Sequence, residues 1–164
     1  MRCRLVGSEM CIRDSYWISE KSQCAMIIYN LDVDSRLKNI IIQTGDKQNK
    51  KTAVKALMTD WNMREDDAFD NLAKFIETKV SGEVFDIWGA LYKKSQYAES
   101  HSHKNVTNTF VYFIDVCEEC APLFIDDKKI TPENGKLVIF KDEVHYTSKH
   151  KCDHDRIIIA GNIK

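Results

Sequence analysis

The sequence predicts a mainly β protein of the α+β class, in which an N-terminal part with strands and one helix precedes an all-β part. The 164-residue chain is long enough for one domain with a substantial core. Its clearest helical periodicity lies before Gly82. After Gly82, short apolar segments alternate with turn-rich ones at the regular spacing that is typical of a sandwich or barrel.

The first fifteen residues, MRCRLVGSEMCIRDS, are set apart from the domain. They show neither a helical nor an alternating apolar period, and no apolar segment follows the early arginines, as a signal peptide would require. The stretch VGSEMCIRDS resembles translated sequencing-adapter read-through, and a natural disordered N-terminus is the alternative. We therefore expect residues 1–15 to be non-native or disordered and residues 16–164 to form one domain.

Residues 16–82 are predicted to support the all-β part. The segments Cys24–Val33 and Leu37–Thr44 are rich in β-branched and apolar residues, which favours two strands joined by a short turn. The polar stretch Gly45–Lys51 is predicted to be a loop.

The best helical pattern spans Arg64–Val80. One apolar stripe runs along it at helical spacing, and acidic residues occupy its first turn, where the helix dipole favours them. Gly82 follows as a stop signal. We expect this helix to brace a sheet from outside. The stripe consists of Phe69, Leu72, Ala73, Ile76 and Val80.

Residues 83–164 are predicted to form two apposed antiparallel sheets of short strands. The predicted strands are Glu83–Tyr92, Tyr97–His103, Thr109–Val116, Pro122–Ile125, Lys136–Phe140, Val144–Ser148 and Arg156–Ile163. The residues expected to face the space between the sheets include Trp88, Phe110, Tyr112, Leu137 and Ile139.

The composition excludes several classes of protein. Lys and Arg total 24 against 25 Asp and Glu, which lacks the basic excess of a nucleic-acid-binding protein. No apolar run approaches the ~20 residues that span a bilayer. Without Cys3 and Cys11 of the set-apart segment, four cysteines and no secretory signal favour free thiols in a reducing, cytoplasmic compartment.

Every histidine of the chain lies after residue 100. His101 and His103 are two residues apart, and on a strand both rings face the same side. A third imidazole, His145, follows the segment PENGKLVIF after one more turn. Arg156 opens the last predicted strand, where its guanidinium can enter the same cavity and pair with a carboxylate through two hydrogen bonds. The pattern points to a divalent metal site beside an anion site.

The order of these features resembles the iron(II)/2-oxoglutarate-dependent oxygenases, especially their prolyl-hydroxylase-like members. In that family an H-x-D/E pair, a distal His after a G-x-L-x-x-F strand, and a later Arg occur in this order. TFVYFI resembles the aromatic strand that follows the H-x-D pair. IWGALYKKSQYAESHSH, IIIQTG and TAVKALMTDWNM resemble segments of members from marine phages and bacteria. The family pattern covers Trp88–Lys164, nearly half of the chain.

The resemblance implies a double-stranded β-helix core, of the jelly-roll or cupin-like type, at residues 83–164. It implies Fe(II) as cofactor and 2-oxoglutarate as co-substrate. The implied reaction is the hydroxylation of an unidentified small-molecule or peptidyl substrate by O2, with oxidative decarboxylation of 2-oxoglutarate to succinate. The implied site residues are the metal ligands His101, His103 and His145 and the 2-oxoglutarate contacts Arg156, Tyr112 and Thr147.

His103 departs from the family pattern, which uses two His and one carboxylate. Three neutral imidazoles leave the metal one negative charge short, although three-His dioxygenases of the cupin type hold iron in this way. Glu99 or another carboxylate as the third ligand, with His103 behind it, is an alternative. Two other functions also stay open: a catalytically silent β-helix that binds a ligand or partner, and a cupin-type metal oxygenase that does not use 2-oxoglutarate.

A second group of soft ligands lies in two predicted turns. Cys117 and Cys120 form a C-x-x-C, and Cys152 and His154 belong to the segment HKCDH. Together they can form a structural zinc site, although the second pair lacks the usual zinc-finger spacing. The alternative is free thiols in a polar loop. A thioredoxin-like role is not favoured because no βαβ pattern surrounds the C-x-x-C.

Overall fold

The structure is a computed structural model that describes residues 12–17, 26–45 and 52–164. The helices are α1 (Ser35–Thr44) and α2 (Asp67–Glu77), and within the described part of the chain neither is long and apolar enough to cross a membrane. The strands are β1 (Ile12–Trp17), β2 (Met26–Leu31), β3 (Val54–Lys55), β4 (Leu57–Met58), β5 (Val84–Tyr92), β6 (Tyr97–His101), β7 (Asn108–Asp115), β8 (Leu123–Ile125), β9 (Lys128–Ile130), β10 (Lys136–Lys141), β11 (His145–Thr147) and β12 (Arg156–Ile163).

Two antiparallel sheets pack face to face. The larger sheet has seven strands in the order β1-β2-β10-β7-β12-β5-β4, and the smaller has five in the order β3-β6-β11-β8-β9. An apolar layer fills the space between them, with Trp88, Val111 and Phe140 of the larger sheet in the same cluster as Leu123 and Ile125 of the smaller. The predicted fold class, a mainly β protein with a double-stranded β-helix core, is therefore confirmed.

The two helices cover the outer face of the larger sheet. Leu37 and Ile41 of α1 and Phe69, Leu72 and Ile76 of α2 are fully buried in a second apolar layer against this face. The predicted position of the second helix, outside the sheets, is confirmed. The central strands β10, β7 and β12 of the larger sheet are therefore buried on both faces.

Four of the five residues expected to face between the sheets point the other way. Trp88 lies between the sheets, as predicted. The other four belong to the layer between the larger sheet and the helices. Strands β7 and β10 are apolar and buried on both faces, so their sequences do not indicate which alternate set faces inward. The four residues are Phe110, Tyr112, Leu137 and Ile139.

The predicted strand Leu37–Thr44 is instead part of the helix α1. Asp34 caps the helix, because its side chain accepts a hydrogen bond from the backbone N–H two residues later at 2.9 Å. Ile41 packs against Gly89 of β5, where a Cβ would lie 2.3 Å from Ile41 Cγ1. The cap and the burial of one helical face override the β-propensity of the three consecutive isoleucines.

Two N-terminal predictions fall partly outside the described residues. Residues 1–11 of the set-apart segment and residues 46–51 of the predicted polar loop lie outside the described residues. Residues 12–15 of the set-apart segment begin β1, which pairs antiparallel with β2. The strand β2 falls within the predicted strand Cys24–Val33.

The predicted helix Arg64–Val80 is present as the shorter α2. Asp66 sets its start, since the carboxylate accepts hydrogen bonds from two backbone N–H groups of the first turn at 2.9 and 3.4 Å. Arg64 lies before the helix and contacts Glu77 at its other end at 2.6 Å. All seven strands predicted after Gly82 are present, and the short strands β3, β4 and β9 were not predicted because two or three residues show no periodicity.

Candidate metal centre

A pocket of about 440 Å³, a volume that includes the part open to solvent, lies between the two sheets. Its wall is mostly apolar and includes Trp88, Val111 and Ile158 of the larger sheet. Three histidines, Thr147 and Arg156 also line it. An apolar pocket with a few convergent polar groups is the usual form of a small-molecule site.

Three histidines meet at this pocket, and two of them come from strands that pair with each other. His101 at the end of β6 lies directly opposite His145 at the start of β11. His103 lies two residues beyond the end of β6. The ring centroids are 4.3 Å apart for His101 and His145, 5.1 Å for His101 and His103, and 5.2 Å for His103 and His145. One ring nitrogen of each residue lies within 4.8 Å of the others, so the group can hold one metal ion.

Backbone carbonyls fix the orientation of two of these rings. Nδ1 of His101 donates to the carbonyl of Glu99 at 2.6 Å, and Nδ1 of His145 donates to the carbonyl of Glu143 at 2.8 Å. Since a carbonyl oxygen only accepts, each Nδ1 carries the proton and each Nε2 presents a lone pair. Metal-ligating histidines are oriented in this way.

Burial keeps two of the imidazoles in the form that binds metals. It lowers the pKa of His145 to about 3, and the nearby His101 acts in the same direction. Burial also lowers the pKa of His103, again with His101 as the second cause. Asp142 and Asp86 oppose this shift in the pKa of His103. Neutral imidazole is the ligating form, so the cluster suits a cation at neutral pH.

His103 is held by a carboxylate that spacing in the sequence did not indicate. Its backbone N–H donates to Asp142 Oδ1 at 2.5 Å, across 39 residues of chain. The alternative ligand Glu99 is not among the clustered residues, and its carboxylate lies 3.7 Å from Lys55 Nζ, with 53% of the side chain exposed. The negative charge near His103 therefore comes from Asp142 and from Asp86 rather than from a residue of the H-x-H segment.

Arg156 opens β12 and is fully buried, with a relative exposure of 0%. Its guanidinium carbon lies 4.7 Å from the ring centroid of Tyr92 and 5.4 Å from that of Phe113. Among the described residues, no carboxylate pairs with its guanidinium nitrogens. Burial lowers the pKa of this group, the Tyr92 side chain is a polar neighbour that opposes this shift, and an arginine stays protonated in proteins. A buried cation without an anionic partner is costly, so Arg156 marks a position for an anion.

The structure brings Thr147 to the pocket but not Tyr112. Thr147 is buried on β11 and lines the pocket. Tyr112 projects from the opposite face of the larger sheet, where its hydroxyl donates to the Asp32 carbonyl at 3.4 Å. The assignment of Tyr112 as an auxiliary donor is therefore corrected. Tyr92, which pairs with Arg156 across the sheet, lines the pocket instead. Its role depends on strand pairing, which the sequence alone did not indicate.

Solved structures with this fold include several oxygenases. A viral collagen prolyl hydroxylase from Paramecium bursaria Chlorella virus-1, solved as a 2-oxoglutarate complex, has a TM-score of 0.59 and 17% identity, covering 77% of this chain and 88% of that chain. A prolyl-4-hydroxylase from Pseudomonas putida has a TM-score of 0.60 and 14% identity, covering 79% and 81%. A 2OG-Fe(II) oxygenase family oxidoreductase from Burkholderia pseudomallei has a TM-score of 0.53 and 10% identity, covering 85% and 82%.

These similarities concern the fold, since the sequence identities are only 17%, 14% and 10%. No family model matches the chain, and no curated protein matches it. The chain therefore shares the fold of these oxygenases, while its activity has to be argued from its own site.

Proposed function

We propose that this protein is an Fe(II)- and 2-oxoglutarate-dependent dioxygenase that hydroxylates a small-molecule or peptidyl substrate. His101, His103 and His145 hold Fe(II), and Arg156 binds the far carboxylate of 2-oxoglutarate. Two of the solved structures with this fold are prolyl hydroxylases, and one of them was solved with 2-oxoglutarate. This supports the choice of co-substrate and the peptidyl substrate class.

The observation that carries the proposal is Arg156, which lines the same pocket as the imidazole cluster and whose buried guanidinium has no carboxylate partner among the described residues. A guanidinium presents a planar fork that matches a carboxylate, and a dicarboxylate that chelates a metal at one end offers a free carboxylate at the other. The ring of Tyr92 packs on the guanidinium and limits its motion. The hydroxyl of Thr147 supplies a further donor to the bound carboxylate.

The donor set fits Fe(II). Imidazole nitrogen is a common iron ligand, and the rings of His101 and His145 are oriented by backbone carbonyls with their Nε2 atoms free. Asp142 and Asp86 add negative charge near His103, which offsets the missing carboxylate ligand. When bound, iron activates O2 for C–H hydroxylation coupled to the decarboxylation of 2-oxoglutarate.

The rest of the pocket positions the reactants and excludes water. Trp88, Val111 and Ile158 form a low-polarity wall, which strengthens the interaction between Arg156 and a bound carboxylate. The strand β12 of the larger sheet is buried on both faces, so Arg156 is presented from a rigid strand rather than from a loop.

An anaerobic Fe(II) titration, followed by visible spectroscopy, tests the proposal. We expect a visible absorption band only when both Fe(II) and 2-oxoglutarate are present, and succinate after O2 is admitted. The variant His145→Ala should give neither, because it lacks one of three ligands. If wild-type protein binds Fe(II) but 2-oxoglutarate changes no spectrum and yields no succinate, the protein is not a 2-oxoglutarate-dependent dioxygenase.

The third imidazole favours one second candidate, a cupin-type metal oxygenase that does not use 2-oxoglutarate. His103 stands at the position of the family's carboxylate and belongs to the clustered residues. In this case the iron-loaded chain would consume O2 with a substrate at the same rate with and without 2-oxoglutarate. The titration above separates the two functions.

A further inference from the structure

A second group of metal-ligating side chains lies where the loop after β7 meets the loop before β12. Cys117 and Cys120 belong to the first loop and Cys152 to the second. Their Sγ atoms are 3.4 Å apart for Cys117 and Cys120, 3.5 Å for Cys117 and Cys152, and 3.9 Å for Cys120 and Cys152. All three cysteines are free thiols. The fold therefore brings together three sulfurs from two loops that are more than thirty residues apart in sequence.

These separations match a tetrahedral thiolate site. Zn–S bonds of about 2.3 Å at tetrahedral angles place neighbouring sulfurs about 3.8 Å apart. A disulfide joins only two sulfurs and leaves the third unpaired, whereas one ion is contacted by all three. The contact of Cys152 with both members of the C-x-x-C therefore favours an ion over a disulfide.

One backbone N–H favours a thiolate at Cys120 and opposes the burial that raises the pKa of this thiol. The backbone N–H of Cys117 donates to Sγ of Cys120 at 3.2 Å, and the backbone N–H of Cys120 donates to the carbonyl of Cys117 at 3.0 Å, which closes the C-x-x-C turn. Such N–H donors stabilise the ionised sulfur that metals bind.

His150 lies beside the three cysteines and forms hydrogen bonds to both loops. It is buried, and its Nδ1 accepts a hydrogen bond from the backbone N–H of Ala121 at 3.3 Å. Its Nε2 therefore carries the proton, which it donates to the carbonyl of His154 at 2.5 Å, and Cys152 Sγ lies 3.4 Å from the same nitrogen. His150 thus ties the two loops together and packs against Cys152 Sγ, while both of its ring nitrogens are occupied by backbone hydrogen bonds.

We propose that Cys117, Cys120 and Cys152 bind a structural zinc ion that fastens the β7–β8 loop to the β11–β12 loop. Binding exchanges the thiol protons for the metal and involves no oxidation. Three sulfurs leave one coordination position for water or another ligand, and Cys117 and Cys152 are partly exposed. Arg156 begins β12 four residues after Cys152, so the ion fixes the start of the strand that carries the buried guanidinium.

Metal analysis of the purified chain provides the first test. We expect one zinc per chain that persists through a mild chelator treatment. Cys117→Ser and Cys152→Ser should each weaken zinc binding by more than about a hundredfold, because loss of an outer-shell partner alone costs 10–100-fold. Two controls should keep the zinc: His101→Ala, which changes the other cluster, and Cys24→Ser, which changes a cysteine outside both motifs.

Cobalt substitution counts the thiolates and guards against variants that fail to fold. Tetrahedral Co²⁺ bound by thiolates gives an intense charge-transfer band whose strength follows the number of sulfur ligands. Cys152→His keeps a metal ligand at the same place, so it should retain the ion and lose about a third of this band. A folded, metal-retaining Cys152→His variant therefore tests the ligand assignment directly.

The proposal is overturned if the folded wild-type chain retains no zinc after reconstitution, if a Cys117–Cys120 disulfide is found in protein prepared without oxidant, or if the cobalt band is unchanged in Cys152→His. None of these measurements requires iron, 2-oxoglutarate or activity. A chain that holds zinc but shows neither the 2-oxoglutarate-dependent absorption band nor succinate would refute the proposed dioxygenase function and leave the zinc site standing.

Discussion

At the scale of single residues, two arginines show how differently this fold treats a guanidinium. Arg64 contacts the carboxylates of Asp70 and Glu77 at 2.9 and 2.6 Å. Arg156 is more deeply buried and has no carboxylate partner among the described residues. An unpaired buried charge is costly. Arg64 avoids this cost through its two carboxylate partners, whereas Arg156 has no carboxylate partner in the described part of the chain. We attribute this difference to the carboxylate of a ligand.

The variant Arg156→Lys tests this assignment. Lysine keeps the charge but loses the planar fork, so we expect 2-oxoglutarate to bind about tenfold to a hundredfold more weakly, equivalent to roughly 1.5–3 kcal/mol. Anaerobic calorimetry on the iron-loaded chain measures the change. Iron affinity should stay the same, and Arg64→Lys is the matched control outside the pocket. Equal 2-oxoglutarate affinity in wild type and Arg156→Lys would make Arg156 a purely structural residue.

The third metal ligand is tested by two changes at His103. His103→Asp should preserve or tighten Fe(II) binding, because a carboxylate adds the charge that three neutral imidazoles lack. His103→Ala should weaken it, as should His101→Ala and His145→Ala. Anaerobic Fe(II) titration ranks the four variants. Iron affinity that is unaffected in His103→Ala would show that another residue, such as Asp142, is the third ligand.

At the scale of secondary-structure elements, the helix α1 shows why local propensity failed. Its sequence contains three consecutive isoleucines, which favour a strand. The helix forms because Asp34 caps its start and because Leu37 and Ile41, one turn apart, are buried on the larger sheet. The absence of a side chain at Gly89 creates the space for Ile41, and this complementary shape depends on a strand far along the chain.

Substitution of this glycine measures the packing of α1 on the sheet. A Cβ at position 89 would lie 2.3 Å from Ile41 Cγ1 and 3.2 Å from Thr59 Cγ2. We expect Gly89→Ala to lower the free energy of unfolding by about 1–3 kcal/mol, as overpacking does in other cores. Urea unfolding measures it. The double variant Gly89→Ala with Ile41→Ala should lose less free energy of unfolding than the sum of the two single variants, since the two sites are in contact. Strict additivity of the two changes would contradict the contact.

The pairing and burial of the strands also determine which site residues could be predicted from the sequence. The proximity of His101 and His103 follows from their spacing, and the strand-turn pattern before His145 placed the third imidazole correctly in the same cluster. Asp142 was missed because its contact with His103 joins segments that are distant in sequence. Tyr112 was assigned to the wrong face, since β7 is buried on both faces and its alternation carries no polarity.

At the scale of the whole molecule, the proposed site predicts a stability change of unusual sign. Most substitutions of fully buried residues destabilise a protein. Arg156→Met removes an unpaired buried charge while it keeps much of the side-chain volume, so we expect the ligand-free variant to be more stable by about 1–3 kcal/mol. This corresponds to a rise in Tm of roughly 2–4 °C per kcal/mol for a chain of this size.

Thermal unfolding with and without ligand completes this test. Under anaerobic conditions, 2-oxoglutarate should raise the Tm of the iron-loaded wild type, because it binds only the folded state, and should leave that of Arg156→Met nearly unchanged. A fall in Tm of the ligand-free Arg156→Met variant would show that Arg156 stabilises the fold through a partner of its own.

The place of β12 in the larger sheet has a consequence for the order of assembly during synthesis. This strand lies between β7 and β5, with a ladder on each side, yet it leaves the ribosome after every other described strand. Until it emerges, the sheet exists as two separate pieces with unpaired inner edges, which are sites for wrong pairing between nascent chains. Arg156 arrives with the same strand. Closure of the sheet and completion of the proposed anion position are therefore one event, so a chain that has not finished folding cannot hold the proposed co-substrate.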